Sequence, residues 1–396
     1  MSTSPFCLAF GVAVALLLVA TATAAGAVTV PPQFVVENAV PGVAFDIPTA
    51  VAFLPGGRML VAEKRGRVWA VENGVKHPTP LWTRAGEVLN ETDRGLLSIA
   101  VDPDYVTNHH IYLLYTVDPD SNGVDDDGDA FGRLTRYTVS FTDSNTLDDA
   151  SRTILMGATW GEGPCVGSIT HTIGSLQWGA DGSLLISTGD GANITQADAG
   201  GLDPAMFGPG RTNPVEDIGA FRAQYIGSLA GKILRVDPAD GHGYPSNPYW
   251  DGNGSAVRSR IWCYGLRNPF RFTVRPGTGS ASPAAGDPGT LFVGDVGWST
   301  WEEQSIAPGG GRNFGWPCYE GPLPQGSYQA ADPLHHSCDS LGLGDNTGIL
   351  TAPAISYHHY DGSLSTPPGI VGNTAIGGAF YTAATYPALY QGRYFF

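Results

Sequence analysis

The sequence predicts an all-β fold, and within that class a β-propeller. Three observations carry the prediction. Glycine and proline are abundant (54 and 30 of 396 residues) while only 15% of the chain is charged, which marks a turn-dense protein and excludes a coiled coil or long helical bundle. Apolar runs bracketed by Gly, Pro, Asp or Asn recur along the chain, as short strands do. These runs also repeat as a unit (apolar strand, turn, second apolar strand) at a period of about 50 to 70 residues, the signature of propeller blades. A β-sandwich is the alternative, but it rarely shows such self-similarity. With 42% hydrophobic residues and nine Trp, the chain can fill a core, so wholesale disorder is excluded.

Taken in order, residues 1–27 read as a signal peptide. The apolar run at 9–22, AFGVAVALLLVATA, is short for a membrane span and is followed by small residues; an uncleaved anchor is the alternative. Residues 28–396 form the propeller. They hold no stretch long enough to cross a membrane as a helix, so the mature chain is expected to be secreted, extracellular or periplasmic, without a membrane partner. The first repeat is AVAFLPGGRMLVA (50–62), the second SIAVDPDYVTNHHIYLLY (98–115), and the third SLQWGADGSLLIST (175–188), in which Asp181-Gly182 is a hairpin signal. A fourth repeat, WCYGLRNPFRFTVRPGTG followed by GTLFVGD, carries a longer insertion. The fifth, AIGGAFYTA then ALYQGRYFF, stops on an apolar strand and reads as a blade truncated at the C-terminus.

Net charge is −16, with only three lysines (Lys64, Lys76 and Lys232). Nucleic acid is excluded as a partner, because no basic face is present to neutralise phosphates. Once Cys7 leaves with the signal, Cys165, Cys263, Cys318 and Cys338 remain, an even number suited to an oxidising compartment. Three pairings are possible; Cys318–Cys338 is expected as a short loop closure, with Cys165–Cys263 by elimination. Zinc is the rival reading, but no CxxC pair occurs.

An acidic loop offers Asp118, Asp120, Asn122 and Asp129 at positions 1, 3, 5 and 12 of an EF-hand-like spacing, with Gly123 at 6. It is either a structural calcium site or a solvated hairpin. The histidine pairs 109–110, 335–336 and 358–359 read as surface loops. Glu302 and Glu303 resemble a carboxylate pair, but neighbours on a strand point to opposite faces. Neither a GxSxG elbow nor a GxGxxG following a strand is present, so serine-hydrolase and nicotinamide chemistry are unsupported.

His171 opens the third repeat in SITHTIGSLQWGADGSLLISTGDGAN. A lone His is more often a satisfied surface or core residue. Two neighbours argue otherwise: Gly189-Asp190-Gly191 at the far end of the same hairpin, and Arg267-Asn268 at a strand end. Arginine offers a rigid donor fork for a carboxylate or developing oxyanion.

The run from His171 to Asn193 resembles the soluble quinoprotein glucose and sorbosone dehydrogenase family. The resemblance continues through GLLSIAVDPDY (95–105), GKILRVDPADGHGYPSNPYW (231–250), YGLRNPFRF (264–272), GDVGWSTWEE (294–303) and GGGRNFGWPCYEG (309–321). It also takes in the propellers of hedgehog-interacting-protein-like chains. The resemblance implies a six-bladed propeller that binds pyrroloquinoline quinone (PQQ) and Ca2+ and oxidises aldose sugars or related aldehydes and polyols, passing electrons to an external acceptor of unspecified identity.

Position by position, it implies that His171 is the general base, and that Arg267 polarises the quinone with Asn268 beside it. Asp93 would contact the cofactor, and the carbonyls of Gly297 and Trp298 would hold calcium. This chain departs from the pattern at Asp93, where the family usually has Gln or Glu, and at Trp298, commonly Gln or Pro. Beyond Arg312 its only basic residue is Arg393, so the basic anchors expected for three cofactor carboxylates are missing from the segment. The rival from another class is a non-catalytic extracellular propeller that binds a protein or glycan.

Overall fold

Each hairpin repeat becomes the first strand pair of an antiparallel sheet in the computed structural model. The structure describes residue 30 and residues 34–122, 124, 129–143, 145–202, 206–332, 338, 341 and 350–396. The expected signal peptide, Cys7, His335, His336 and the middle of the acidic loop (123 and 125–128) lie outside the described residues. The chain divides into Met1–Pro41 and Gly42–Phe396, and every sheet belongs to the second unit.

Blade 1 contains β1 (Pro48–Phe53), β2 (Met59–Glu63), β3 (Arg67–Glu72), β4 (Val75–Lys76) and β5 (Trp82–Thr83). Blade 2 contains β6 (Leu96–Val101), β7 (His110–Val117), β8 (Ala130–Val139), β9 (Leu147–Met156) and β10 (Cys165–Val166). Blade 3 runs β11 (Ile173–Trp178), β12 (Leu184–Thr188), β13 (Lys232–Val236) and β14 (Ile261–Tyr264). In blade 4, β15 (Arg271–Val274), β16 (Leu291–Asp295) and β17 (Trp301–Ala307) are followed by the small pair β18 (Tyr319–Glu320) and β19 (Leu323–Pro324), and β20 (Ile355–His358) closes the sheet. The fifth repeat forms only the two-stranded pair β21 (Ala379–Phe380) and β22 (Tyr394–Phe395). Four blades are thus formed among the described residues. No helix there is long and apolar enough to cross a membrane.

Strand alternation puts apolar side chains on both faces of a blade, so blades stack face to face. One core joins blades 1 and 2 through Leu60, Val68, Leu96, Ile111 and Tyr137. A second joins blades 2 and 3 through Leu114, Leu134, Ile186 and Leu234, and a third joins blades 3 and 4 through Ile233, Trp262, Phe272 and Leu291. The first strands of successive sheets lie side by side. There the Arg271 guanidinium donates to the carbonyls of Thr49 in β1 (3.0 Å), Leu97 in β6 (3.1 Å), Gly174 beside it in β11 (3.2 Å) and its own neighbour Phe270 (2.9 Å). One side chain therefore ties together all four blades. Burial lowers its pKa to about 10.

Two long excursions, 189–231 between β12 and β13 and 308–354 between β17 and β20, share a further core. Ala220, Phe221 and Ala223 of the first pack with Trp316, Cys318 and Tyr328 of the second. Cys318 and Cys338 form a disulfide there. The expected Cys165–Cys263 bond is not formed: both remain thiols outside any disulfide, and both are buried. They belong to different blades and different cores, Cys165 with Met206 and Ala230, Cys263 with Trp262 and Leu291. Elimination gave the wrong pair because buried cysteines also serve as small apolar residues.

Candidate active site

Local backbone geometry brings His171 and Asp190 together. His171 precedes β11 with φ +52°, a left-handed conformation that costs a non-glycine residue about 1–2 kcal/mol. Continuing the Ile173–Thr188 register of the β11–β12 hairpin places residue 171 opposite residue 190. Glycine is required next to Asp190, because a Cβ on Gly189 would lie 2.2 Å from the His171 carbonyl oxygen. The imidazole Nδ1 lies 2.9 Å from Asp190 Oδ1, so a proton shared there sits on Nδ1 and leaves Nε2 as the open acceptor.

Asp190 is the hub of the site. Its Oδ1 also accepts the Ala192 amide (2.9 Å), and its Oδ2 accepts the indole N–H of Trp316 (2.7 Å). Its own amide donates to the Arg267 carbonyl (2.8 Å), and its carbonyl accepts Arg222 Nε (3.0 Å). Burial pushes its carboxyl up, but His171, that hydrogen bond and Arg267 outweigh burial and hold it below the usual aspartate range. Burial lowers the affinity of His171 for a proton. Arg267 adds to that effect, and Asp190 and Asp93 oppose it without reversing it. The result is a neutral imidazole with a nearby cation.

Asp295, at the end of β16, accepts the amides of Arg267 (3.0 Å) and Asn268 (2.7 Å). Burial raises its carboxyl to about 7 against those hydrogen bonds. Arg267 Nη1 donates to the carbonyls of Val296 (2.9 Å) and Gly297 (2.6 Å), and the guanidinium lies 5.4 Å from the Trp316 ring. The strip 297–301 is held from behind by buried carboxylates. One oxygen of Glu320 accepts the amides of Trp298, Ser299, Thr300 and Trp301, while Glu302 accepts those of Gly297 and Ala375.

The structure brings His171, Asp93, Arg267, Asn268, Gly297 and Trp298 into one region, each held by hydrogen bonds. Asp93 turns its carboxylate onto the His171 amide (3.3 Å), and its carbonyl accepts the Thr172 hydroxyl (2.9 Å); the shorter acid braces the base instead of reaching outward. The Gly297 carbonyl, expected to bind calcium, is engaged by Arg267. Trp298 lays its indole against Trp316 and Tyr328 and donates to the Ile194 carbonyl (3.0 Å).

The acidic-loop residues lie elsewhere. Asp118 accepts the Ser121 amide, Asp120 binds the Asn122 amide and carboxamide, and Asp129 pairs with Arg211. These oxygens do not converge, and no group of three or more His, Cys, Asp or Glu suited to a metal occurs among the described residues. His359, expected on the surface, is instead bonded to buried Glu302 (2.9 Å). Glu302 and Glu303 do point apart, Glu303 to the Gly321 amide. The roles of Asp190, Trp316 and Glu320 were missed; of these, only Asp190 was readable, by extending the hairpin register two residues past its ends.

Beside the site, a cleft of about 410 Å3 is lined by Ser168, Ile169, Asn193, Asp198 and Arg222. That is the size of small-molecule pockets, although neither His171 nor Arg267 lines it.

The glucose/sorbosone dehydrogenase family model matches residues 45–336. The HIPL2 protein of Arabidopsis thaliana is 27% identical over 365 residues, which cover 80% of this chain and 44% of that protein. An aldose sugar dehydrogenase of Escherichia coli is 26% identical over 280 residues, 69% of this chain and 59% of the relative. The solved apo-form of the soluble aldose sugar dehydrogenase from Escherichia coli shares the fold, with a TM-score of 0.56 at 22% identity over 87% of this chain and 78% of that one. The chain spans about half the length of the curated relatives it matches (56% and 44% of two of them).

Proposed function

Because the chain belongs to the glucose/sorbosone dehydrogenase family, we propose that it is an exported dehydrogenase of aldose sugars or related aldehydes and polyols, using PQQ. The observation that carries this reading is the buried His171–Asp190 pair, whose Nε2 makes no hydrogen bond with a described residue, beside Arg267. The six-bladed ring of the family is part of the reading, with four blades and the fifth repeat's hairpin formed here. Export is supported by the signal-like N-terminus and by the disulfide.

The donor set fits a quinone. Arg267 Nε is buried without a partner, and the Asn268 carboxamide makes no hydrogen bond with a described residue. Both suit the carbonyl and carboxylate oxygens of such a ring, so Arg267 and Asn268 would hold it. When bound, the quinone would supply a two-electron acceptor for hydride from the substrate carbon. Calcium does not fit the same geometry, because the guanidinium and a cation would compete for the Gly297 carbonyl.

The residues of the chain divide the remaining work. His171 Nε2 takes the proton of the substrate hydroxyl, as a neutral imidazole can at neutral pH. Asp190 fixes the tautomer and stabilises the imidazolium that forms. Asp93 and Asp295 hold the backbone of the base and of Arg267 in register.

A second reading, a non-catalytic propeller that binds a protein or glycan, is favoured by Arg267 spending one nitrogen on backbone carbonyls. Titration calorimetry with PQQ, followed by dye reduction over a panel of aldoses, separates the two. The enzyme reading expects micromolar binding, and Asp190→Asn is expected to lower kcat roughly 10^3–10^4-fold by spoiling the tautomer. Absent quinone binding rejects it in favour of the second, whereas activity that survives His171→Ala refutes His171 as the base.

A further inference from the structure

Trp316 comes from the excursion after β17, yet it touches both arms of the site. Its indole N–H donates to Asp190 Oδ2 at 2.7 Å, while Asp190 Oδ1 serves His171. Its ring lies under the Arg267 guanidinium. The residue is itself fixed: its amide donates to the Gly265 carbonyl (3.0 Å), and its carbonyl accepts Gln224 Nε2 (2.6 Å). Tyr328 packs edge-on against the indole at 5.0 Å, and Cys318, two residues on, is tied to Cys338.

We propose that Trp316 is a positioning residue that sets the tautomer and proton affinity of His171 through the second oxygen of Asp190. The inference rests on the reading of His171 as the base. A carboxylate bonded at one oxygen only is held less firmly, and it gives its full acceptor strength to the donors on that oxygen, here the imidazole and the Ala192 amide. Held at both oxygens, Asp190 cannot turn, and it shares its charge among the indole, the imidazole and the Ala192 amide. The imidazole then keeps its proton on Nδ1 and resists gaining a second. The charged and titratable groups facing this pair are Asp93, Arg267, Arg222, Lys232, Asp295 and Tyr328. Among the described residues, no other donor reaches Asp190 Oδ2, so the indole has no substitute.

The test is nitrogen-detected NMR of His171 in the ligand-free full chain, labelled at histidine. Trp316→Phe removes the N–H and keeps an aromatic ring. Benzothienylalanine at 316 removes only the N–H and covers the case in which the Phe variant fails to fold. Either substitution is expected to raise the proton affinity of His171 about three- to tenfold and to mix its tautomers. Tyr328→Phe, which disturbs the same aromatic cluster without touching Asp190, is expected to leave both unchanged. An unaltered titration in the N–H-lacking variants, or an equal shift in Tyr328→Phe, overturns the proposal. The readout needs no quinone or sugar, so a failure of the dehydrogenase reading is seen separately in the binding and activity assays. If that reading stands, kcat falls in the Trp316 variants while KM holds.

Discussion

Replacing Glu320 by Gln tests whether a buried carboxylate shapes the wall of the site. One oxygen of Glu320 accepts four successive amides, at 2.9, 2.7, 2.9 and 3.2 Å. An oxygen with two lone pairs cannot give four full bonds, so the set counts as about two. Hydrogen bonds to a charged group contribute about 1.5–3 kcal/mol and neutral ones about 0.5–1.5 kcal/mol. Glu320→Gln keeps the acceptor and removes the charge, so the expected loss is about 2–3 kcal/mol at pH 7. The sign with pH is also defined. Burial raises the Glu320 carboxyl, but the amides of Thr300, Ser299 and Trp301 and the Gln325 side chain outweigh it and hold the group below the usual glutamate range. Stability from a lowered carboxyl is complete above the unfolded value, about 4.3, and is lost as pH falls through the folded value. Urea unfolding of both proteins from pH 7 down to about pH 2 should show a gap that holds at neutral pH and narrows below the unfolded value of about 4.3. A gap under about 1 kcal/mol at pH 7, or one that ignores pH, would refute the assignment of the four amides to a charged oxygen.

Arg271→Met should cost about 3 kcal/mol or more, because the carbonyls of Thr49, Leu97 and Gly174 lose their shared donor; a urea midpoint close to that of the unmodified protein contradicts the four-blade tie. Cys165 and Cys263 should resist alkylation in the folded chain, since both are buried and burial pushes the Cys263 thiol up to about 12. After unfolding without reductant both should label while Cys318 and Cys338 do not, and a linked Cys165–Cys263 peptide in the mass spectrum would reverse this.

Legibility followed sequence distance. The hairpins were readable because apolar alternation and turn residues such as Asp181-Gly182 act within a few positions. His171 and Arg267 were readable because each sits in a long motif at a strand end. Trp316 was not, since its partner Asp190 is 126 residues away and the contact depends on how two excursions pack. Glu320 carried no local signal either: an acid before a glycine reads as a turn, and only the folded strip 298–301 shows what it accepts. The Cys165–Cys263 pairing failed for the same reason in reverse, as elimination supplied a long-range contact that packing does not make.

The formal charge of −16 overstates the negative field at the site. Asp295 is raised by burial to about 7, and burial pushes Glu303 well above the ordinary glutamate value, with Asp295 adding to the effect. Glu302 is raised as well, by burial working against the Gly297 and Ala375 amides. At neutral pH Asp295 holds part of a proton, and the oxygens of these acids serve as acceptors for the loops that carry Arg267 and Gly297. Arg267 therefore sees less opposing charge than a count of carboxylates implies, and it keeps a net attraction for an anionic or carbonyl-rich ligand. Raising the pH through 7 ionises Asp295 directly behind the Arg267 amide. The local field then turns against an anion while His171, held below its ordinary value, is already neutral, so on the alkaline side ligand affinity falls with no gain in base readiness.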